Sequence, residues 1–453
     1  EKYNLSYPEA DISKLIKENV YGIDLDENMT EICRLNLLLK SGQKINLKEN
    51  IINRDSIYKG REDGKGFNID IDFPLISKQR FDIIIGNPPF LTFRKGIDYD
   101  MRESNYSSII SGSCNSASLM IGKSLDLLKE GGTLAFVLPK VLLRVSSYQK
   151  LRDYLLENTK LEIIFDLGQI FKDVRGEQII LVLKKQKLSQ KELSTNQVRI
   201  LHLKDKSKDL SGYGEYSLPQ SEFTKFGFYP TFCEKGIFEL AEKFQQYTSV
   251  KDFDINIFRG IAIGANSPIV SKNNQQGYSK LLRGDSLTKY GIKYWLYLKE
   301  NLQDNKIKSL QTEKLAFQNL FSLEAGITGT LVDANVLTLD TVTNVLSNSI
   351  DLKYLLAIFN SRLASFFVGY ILFLRSFFTM HLDASYLQHL PLVVPPKPKQ
   401  EEIIRIVDQL MEIGNKKDLE SIRLNNVLNQ KIYQLYELSN SEVKLIENYS
   451  QKW

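Results

Sequence analysis

The chain has 453 residues, 43% of them hydrophobic and 25% charged, and a net charge of +5 at pH 7. This length accommodates two or three domains, and the ordinary globular balance excludes a disordered chain and an overall basic one. Any nucleic-acid binding must therefore use a local basic face. Three scattered cysteines and three histidines without metal-ligand spacing favour a cytoplasmic protein with no metal site.

The first predicted elements are a helix over residues 12–20, a strand over 20–24 and a helix over 26–39. An acidic side chain that closes the second strand of a nucleotide-binding sheet typically accepts hydrogen bonds from ribose hydroxyls, which makes Asp24 a candidate for that role. The alternative is that Asp24 or Asp26 caps the following helix. A further short strand, over residues 50–56, ends in Asp55.

The most informative stretch is Phe81–Phe90, which reads FDIIIGNPPF. An apolar β-branched run stopped by a glycine and two prolines predicts a buried parallel strand ending in a tight loop. Because ligands lie at the carboxyl ends of such strands, we expect Asn87 to project its amide into a crevice. The Asn87 side-chain oxygen and the Pro88 carbonyl would accept hydrogen bonds from both N–H groups of a nucleobase amine, while Phe90 stacks on the flipped-out base. The alternative is a structural Asn-Pro turn.

This motif resembles the catalytic motif of the amino-group DNA methyltransferases, above all the adenine-specific enzymes of restriction–modification systems. The motif consists of Asn87, Pro88, Pro89 and Phe90. The resemblance implies an α/β fold with a class I (Rossmann-like) methyltransferase sheet that has helices on both faces. It also implies S-adenosylmethionine as methyl donor, with Asp55 accepting a hydrogen bond from the adenine amine of the cofactor. The alternative for Asp55 is a turn or cap. The residues expected to bind the cofactor are Asp24, Asp55, Ser56 and Asn87.

One part of the family pattern is missing, because residues 1–19 contain no glycine. The family carries a Gly-rich loop before the strand of Asp24, and this loop cradles the methionine part of the cofactor. We therefore expect the chain to begin inside the cofactor domain, so that an upstream segment or a partner chain supplies the first strand. The chain shows no convincing nuclease cluster, and a nuclease would also lie upstream or on another chain.

After the motif, the polar residues 92–115 predict either a loop that orders over the substrate or an ordinary solvated loop. A helix over 116–129 is expected to end at Glu130–Gly132, and further strands and a helix follow. These are strands over residues 133–139, 161–166 and 178–184, and a helix over 148–158. The resemblance implies that Phe171 packs on the flipped base from the side opposite Phe90. The alternative is a core phenylalanine.

The second half resembles the target-recognition domain of type II enzymes that combine methylation and specificity in one chain (type IIG). We predict a methyltransferase domain over residues 1–220, an α+β target-recognition domain over 221–415 and a helical tail over 416–453. One helix is expected over 352–370. The longest apolar run, over residues 363–374, is too short to span a bilayer and favours a buried helix over a membrane partner. A basic face is expected to contact DNA, although each member is equally well explained as a solvated charge. Its residues are Arg259, Lys280, Arg283 and Lys289.

The sequence thus predicts a DNA adenine methyltransferase that uses S-adenosylmethionine, flips its target base and acts on double-stranded DNA. Two alternatives stay open. In the first, the chain is a DNA-binding specificity component, or a fragment, that is inactive without a partner segment. In the second, it methylates an amine of RNA or protein, because Asn-Pro-Pro-aromatic also occurs in enzymes of that kind.

Overall fold

The computed structural model describes residues 12–42, 45–57, 66–93, 106–110, 114–171, 176–203, 212–264, 267–300, 307–376, 378–414 and 419–450. The chain forms two compact units that are discontinuous in sequence. The first comprises Glu1–Leu167, Gln178–Arg199 and Ser217–Tyr229, and the second comprises Gly168–Glu177, Ile200–Tyr216 and Pro230–Trp453.

The helices of the described residues carry the labels α1 to α14 in chain order. They are α1 (Ile12–Asn19), α2 (Glu27–Ser41), α3 (Ile69–Asp72), α4 (Ser116–Leu127), α5 (Gln149–Asn158), α6 (Gln190–Thr195), α7 (Lys235–Phe244), α8 (Ile307–Leu310), α9 (Leu352–Asn360), α10 (Arg362–Phe366), α11 (Ala384–Leu387), α12 (Lys397–Ile413), α13 (Leu419–Leu435) and α14 (Asn440–Ser450).

The strands of the described residues carry the labels β1 to β22. They are β1 (Gly22–Asp24), β2 (Ile51–Asn53), β3 (Phe81–Gly86), β4 (Thr92–Phe93), β5 (Cys114–Asn115), β6 (Leu128–Pro139), β7 (Lys160–Gly168), β8 (Gln178–Lys184), β9 (Gln197–Leu203), β10 (Tyr213–Pro219), β11 (Ile255–Arg259), β12 (Val270–Ser271), β13 (Tyr278–Leu282), β14 (Leu287–Thr288), β15 (Gly291–Ile292), β16 (Leu296–Lys299), β17 (Lys314–Gln318), β18 (Leu320–Phe321), β19 (Gly329–Val332), β20 (Leu337–Thr338), β21 (Val342–Ser347) and β22 (Met380–His381).

The largest sheet is mixed, with the strand order β10–β9–β7–β8–β6–β3. β3 runs parallel to β6, whereas β8 runs antiparallel to it. On β6, Leu134, Phe136 and Leu138 alternate with less buried residues, as the two-residue period of a strand requires. The predicted α/β class is confirmed, and the carboxyl end of β3 is where the Asn-Pro-Pro-Phe loop begins.

Among the described residues, β1 and β3 each have one edge with no strand paired to it. β1 pairs in parallel with β2 in a separate two-stranded sheet, and β3 pairs with β6. The N-terminal ends of β1 and β3 meet through Tyr21 and Phe81, whose ring centroids lie 5.9 Å apart. Farther along β3, Ile83 and Ile85 are 65% and 76% exposed. The prediction of a parallel strand is right, but the prediction that it is buried is wrong, because no described strand pairs with the second edge of β3. Parallel strands are normally covered on both faces, so the exposure of these two isoleucines on a parallel strand is unusual.

The residues Glu130–Gly132 do not end a helix as predicted. Helix α4 ends at Leu127, and β6 begins at the next residue. The glycine pair forms an irregularity within β6, where the register against β3 shifts. Gly131 has a φ of +76° and donates its N–H to the Lys185 carbonyl at 2.7 Å. Glycine suits this position because the left-handed conformation costs it little, so the strand continues past the irregularity.

The second unit contains two four-stranded sheets, with orders β11–β21–β17–β19 and β12–β16–β13–β20. Helices α9 to α14 follow these sheets in the chain. The predicted tail residues belong to this unit, because Arg362 Nη1 contacts Glu447 Oε2 at 2.9 Å and Asn429 accepts the Arg362 N–H. The α+β pattern predicted for the second half agrees with these elements.

The single helix predicted over residues 352–370 is wrong, because the chain breaks at Ser361. Ser361 has extended backbone, and its hydroxyl accepts the Ala364 N–H, so it caps α10. The side chain of Asn360 bonds both backbone groups of Gly329, at 2.9 and 3.0 Å. The segments Leu352–Asn360 and Arg362–Leu372 are bent by 54°, and only together do they reach the length and apolarity of a membrane span. No single helix of the described residues reaches them.

Candidate active site

The Asn-Pro-Pro-Phe loop follows β3 directly, as predicted. Asn87 is exposed, Pro88 is buried and Phe90 is half-buried. Two prolines fix two φ angles, and Pro88 disfavours the helical conformation at Asn87. The amide of Asn87 therefore sits on a loop with little conformational freedom.

Ser116, the first residue of α4, anchors this loop from 27 residues farther along the chain. Its hydroxyl donates to the Pro89 carbonyl and accepts the Leu91 N–H at 2.9 Å, and its own N–H donates to the Leu91 carbonyl at 2.9 Å. Ser116 is fully buried. Sequence reasoning missed this residue, because nothing in its local pattern distinguishes it from other serines at helix starts.

A cavity of about 880 Å³ lies beside the loop and within the first unit. Such a volume falls within the usual range of ligand and cofactor pockets, about 300–1,000 Å³. Its walls include the ends of β1 and β3, the segment after β2 and one face of α4. Among the residues that line it are Asp24, Asp26, Asp55, Ser56, Asn87, Pro88 and Pro89. The structure thus brings together residues that sequence analysis selected on three separate segments.

At the end of β1, the two candidate aspartates differ in role. Asp26 caps α2, because its Oδ1 accepts the Asn28 N–H at 2.8 Å. Asp24 Oδ1 accepts the Asp26 N–H at 2.8 Å, which fixes the orientation of the Asp24 carboxylate on the cavity wall. The side-chain amide of Asn53 donates to the Asp24 and Leu25 carbonyls at 3.1 and 2.7 Å. The turn after β1 is therefore held from both sides.

After β2, Asp55 is buried and its Oδ1 accepts the Ile57 N–H at 3.0 Å. The hydroxyl of the next residue, Ser56, donates to the sulfur of Met120 at 3.1 Å. Met120 and Lys123 lie on the face of α4 that lines the cavity, which has polar and apolar walls. These are surroundings in which a nucleoside can be bound.

Phe171 belongs to the second unit and is 39% exposed. Its predicted contact with a flipped base stays a prediction. The neighbouring residues 172–175 lie outside the described residues, as do residues 94–105 and 111–113 of the polar stretch that was predicted to be a loop.

The four basic residues of the predicted DNA face have different surroundings. Arg259 forms a two-pronged ion pair with Asp383, at 2.5 and 2.9 Å. Lys289 is partly buried, and its ammonium donates to the Asn360 carbonyl at 3.0 Å. Lys280 is exposed, with its Nζ 4.8 Å from the ring centroid of Trp295. Arg283 is half-exposed at the edge of a groove. Lys280 and Arg283 therefore suit a contact with DNA better than the other two.

Replacing Lys289 with methionine is expected to stabilise the protein at pH 7 by about 1–3 kcal/mol. Burial, helped by the nearby Arg362, lowers the pKa of Lys289 to about 8. Between about pH 8 and 10.5 the unfolded chain then binds more protons at this position than the folded one, so the contribution of Lys289 to stability rises with pH. The gain from Lys289→Met should therefore shrink as pH rises from 7 to 10, as measured by urea unfolding.

The exposed Lys293 provides the control, and Lys293→Met should leave the unfolding free energy nearly unchanged at both pH values. A loss of stability in Lys289→Met at pH 7 would contradict the interpretation. It would mean that the hydrogen bond to Asn360 outweighs the cost of burying the ammonium.

Replacing Ser116 with alanine is expected to slow any reaction that uses the Asn87 loop by about tenfold or more, because small displacements of positioning groups are costly. The Leu91 N–H and the Pro89 carbonyl would lose their shared partner, at a cost to stability of about 1–3 kcal/mol. Turnover at saturating substrate should be measured well below the unfolding temperature. Ser118→Ala is the matched control, because Ser118 is buried in the same helix and its hydroxyl has no hydrogen bond among the described residues. Equal turnover in both variants would exclude the anchoring role.

Comparison with known families matches two separate segments of the chain. Residues 18–171 match the family described as Eco57I restriction-modification methylase. Residues 279–392 match the TaqI-like C-terminal specificity domain. The first segment contains the Asn-Pro-Pro-Phe loop and the cavity residues, and the second contains Lys280, Arg283 and Lys289.

Among characterised proteins, the chain is similar to the type II restriction enzyme and methyltransferase RM.Eco57I of Escherichia coli, with 29% identity over 188 residues. This match covers 37% of the chain and 19% of the relative. The type II methyltransferase M.TthHB8I of Thermus thermophilus is 32% identical over 115 residues, which are 24% of the chain and 27% of the relative. The matches thus span less than a third of these relatives' own length.

Two solved structures share the fold. The type IIL restriction-modification enzyme MmeI, solved in complex with DNA, has a TM-score of 0.63 at 12% identity, over 98% of this chain and 68% of MmeI. A nuclease-deletion mutant of the type ISP enzyme LlaGI, solved with a DNA substrate mimic, has a TM-score of 0.56 at 13% identity, over 91% of this chain and 50% of that one. The predicted fold class, a methyltransferase-like α/β domain followed by a specificity domain, is confirmed.

Proposed function

We propose that this chain is an Eco57I-type restriction-modification methylase with a TaqI-like C-terminal specificity domain, and that it methylates adenine in double-stranded DNA. The amine nitrogen attacks the methyl carbon of S-adenosylmethionine, the bond from that carbon to sulfur breaks, and S-adenosylhomocysteine leaves. The methylated amine of the flipped-out base then loses one proton to solvent. One observation carries the proposal: Asn87 and Pro88, at the end of β3, line the same cavity as Asp24 and Asp55.

The chemistry begins with the poor nucleophilicity of an adenine amine, whose lone pair is delocalised into the ring. The Asn87 side-chain oxygen and the Pro88 carbonyl accept hydrogen bonds from its two N–H groups and favour a tetrahedral nitrogen, on which the lone pair is localised. Phe90 stacks on the base and replaces part of the stacking lost on flipping, about 1–3 kcal/mol per stacked base. Ser116 keeps the loop in place, so the acceptors need not reorganise during the reaction.

The residues of the cavity fit S-adenosylmethionine, which supplies an electrophilic methyl group when it is bound. Asp24 would accept hydrogen bonds from the ribose hydroxyls. Asp55, with Ser56 beside it, would accept a hydrogen bond from the adenine amine. The fit rests on the oriented Asp24 carboxylate and the buried Asp55 at one wall of the cavity. In this proposal the second unit carries the target-recognition domain, and Phe171 contacts the base from the other side. The enzyme acts on DNA in the cytoplasm.

A second candidate is a protein that binds DNA but transfers no methyl group without a further segment. The exposed Ile83 and Ile85, and the open edges of β1 and β3, favour it. A strand inserted between β1 and β3 would cover this apolar surface and reshape the cavity. The same open edges are compatible with the first proposal when such a strand is supplied.

The test is a methyl-transfer assay with the full chain, S-adenosylmethionine and unmethylated DNA of mixed sequence. The DNA is then digested and its nucleosides are identified by mass spectrometry. N6-methyladenine is the expected product, and methylated cytosine or a preference for RNA would contradict the proposal. If no product appears but the chain binds DNA tightly, the second candidate is favoured. Recovery of activity on adding an upstream segment or partner chain would then identify a component of an active enzyme.

A further inference from the structure

A groove of about 430 Å³ lies in the second unit, and none of the residues that line it takes part in the proposed chemistry. It lies where several strands of the two four-stranded sheets end, so its lining comes from short loops. Its polar lining residues are Arg283, Asp285, Gln318, Asp340 and Thr341. Short loops held on strands are the usual place for side chains that recognise a ligand.

The backbone at Arg283 is held in place from both sides. The Arg283 N–H donates to the hydroxyl of the buried Ser286 at 3.1 Å, and the Gly284 N–H donates to the Thr341 hydroxyl at 3.1 Å. A Cβ on Gly284 would lie 2.6 Å from the Thr341 carbonyl oxygen, so only glycine permits this close approach. The side chain of Arg283 thus starts from a rigid position.

The guanidinium group is oriented as well. Arg283 Nε contacts Asp285 Oδ1 at 2.5 Å, and Asp285 accepts a second hydrogen bond from Tyr294. Burial alone would raise the pKa of Asp285, but these two bonds lower it overall, so the carboxylate stays charged at neutral pH. Within the described part of the chain, Asp285 is the partner found for the Arg283 side chain. The carboxylate engages one edge of the guanidinium and presents the two Nη groups as neighbouring donors.

Two neighbouring donors match either a phosphate or the O6 and N7 acceptors of guanine. The groove distinguishes between them, because two carboxylates, of Asp285 and Asp340, line it beside one guanidinium. These carboxylates repel the full negative charge of a phosphodiester much more strongly than the partial charges on the guanine O6 and N7. Lys280, three residues earlier and exposed without a carboxylate partner among the described residues, is the better phosphate contact.

We propose that Arg283 reads a guanine of the DNA recognition sequence through the major-groove edge, with Asp285 as the residue that positions its guanidinium. The inference rests on the proposed function, because only a protein that acts at a defined DNA sequence needs such a contact. The class of ligand is therefore a G·C base pair in double-stranded DNA.

The experiment selects bound sequences from a randomised double-stranded DNA library with the full chain and its variants. The wild type should select a motif with an invariant G·C pair. Arg283→Ala should select the same motif without preference at that pair, and should bind the original motif about 10- to 100-fold more weakly. Arg283→Lys, which keeps the charge but not the paired donors, should also lose the preference. Lys280→Ala should select the full motif but bind all sequences more weakly by the same factor. The slope of the logarithm of its DNA affinity against the logarithm of salt concentration should fall by about one.

The inference is overturned if both Arg283 variants keep the invariant guanine. It is also overturned if Arg283→Ala weakens all sequences equally, because that is the behaviour of a phosphate contact. A wild-type chain that selects no motif would overturn the proposed function itself, and this inference with it. Thermal unfolding of each variant shows whether it is folded. If Arg283→Ala does not fold, the guanine preference of Arg283→Lys decides whether Arg283 reads the base.

Discussion

Replacing Asn87 with alanine is expected to reduce methyl transfer by about 100- to 1,000-fold, the usual cost of removing one preorganised hydrogen-bonding group from a reaction centre. The amine would keep the Pro88 carbonyl but lose the acceptor that the side chain supplies. Asn87 is exposed, so the variant should fold normally. Two quantities are measured, the single-turnover rate of methyl transfer and the affinity for DNA. The rate is measured with the chain alone if it is active, and otherwise with the upstream segment or partner chain that restores activity.

DNA affinity should change by less than about threefold, because binding energy comes mainly from the phosphate backbone and the recognition domain. Asn348→Ala is the matched control, since Asn348 is an exposed asparagine whose amide donates to Asp254 at 3.0 Å in the second unit. This control should keep the wild-type rate. Retained activity in Asn87→Ala would remove Asn87 from the mechanism, and a parallel loss of DNA binding would indicate a structural role.

Replacing Asp24 with alanine is expected to weaken the binding of S-adenosylmethionine by about 10- to 100-fold. Hydrogen bonds to a charged acceptor contribute about 1.5–3 kcal/mol, and the proposed ribose contact would be lost. The Asp26 N–H would also lose its acceptor, although Asp26 would still cap α2. Isothermal titration calorimetry of the full chain with S-adenosylmethionine measures the effect directly.

Asp70→Ala is the control for removing a negative charge, because Asp70 is exposed and does not line the cavity. It should bind the cofactor within about twofold of the wild type. Equal affinity in Asp24→Ala and wild type would rule out the ribose contact. A wild-type chain that shows no binding would favour the second candidate, in which a further segment is needed for activity.

Local sequence was sufficient where the physical cause is local. The strand of Phe81–Gly86 and the loop after it were predictable, because β-branched residues favour a strand and Gly-Asn-Pro-Pro cannot continue one. The cap at Asp26 was predictable for the same reason, since its partner lies two residues away. The match of residues 18–171 to the Eco57I restriction-modification methylase family agrees with the resemblance that the Asn-Pro-Pro-Phe motif shows.

Sequence alone could not separate Lys280 from Lys289, two lysines in similar polar surroundings along the chain. Only the fold exposes one on β13 and places the other against the Asn360 carbonyl. The break at Ser361 also depends on a distant partner, because Asn360 bonds Gly329, which lies 31 residues earlier. A helical pattern says nothing about such a contact.

The sequence by itself determined the Asn-Pro-Pro-Phe motif, its place after a parallel strand and the acidic residues that follow β1 and β2, because each depends on neighbours within a few residues. The tertiary structure decided that these segments share one cavity, that Ser116 anchors the motif and that Asp285 orients Arg283 in its groove. The physical reason is that a hydrogen bond between distant segments forms only after the chain has packed, and no local preference encodes its partner.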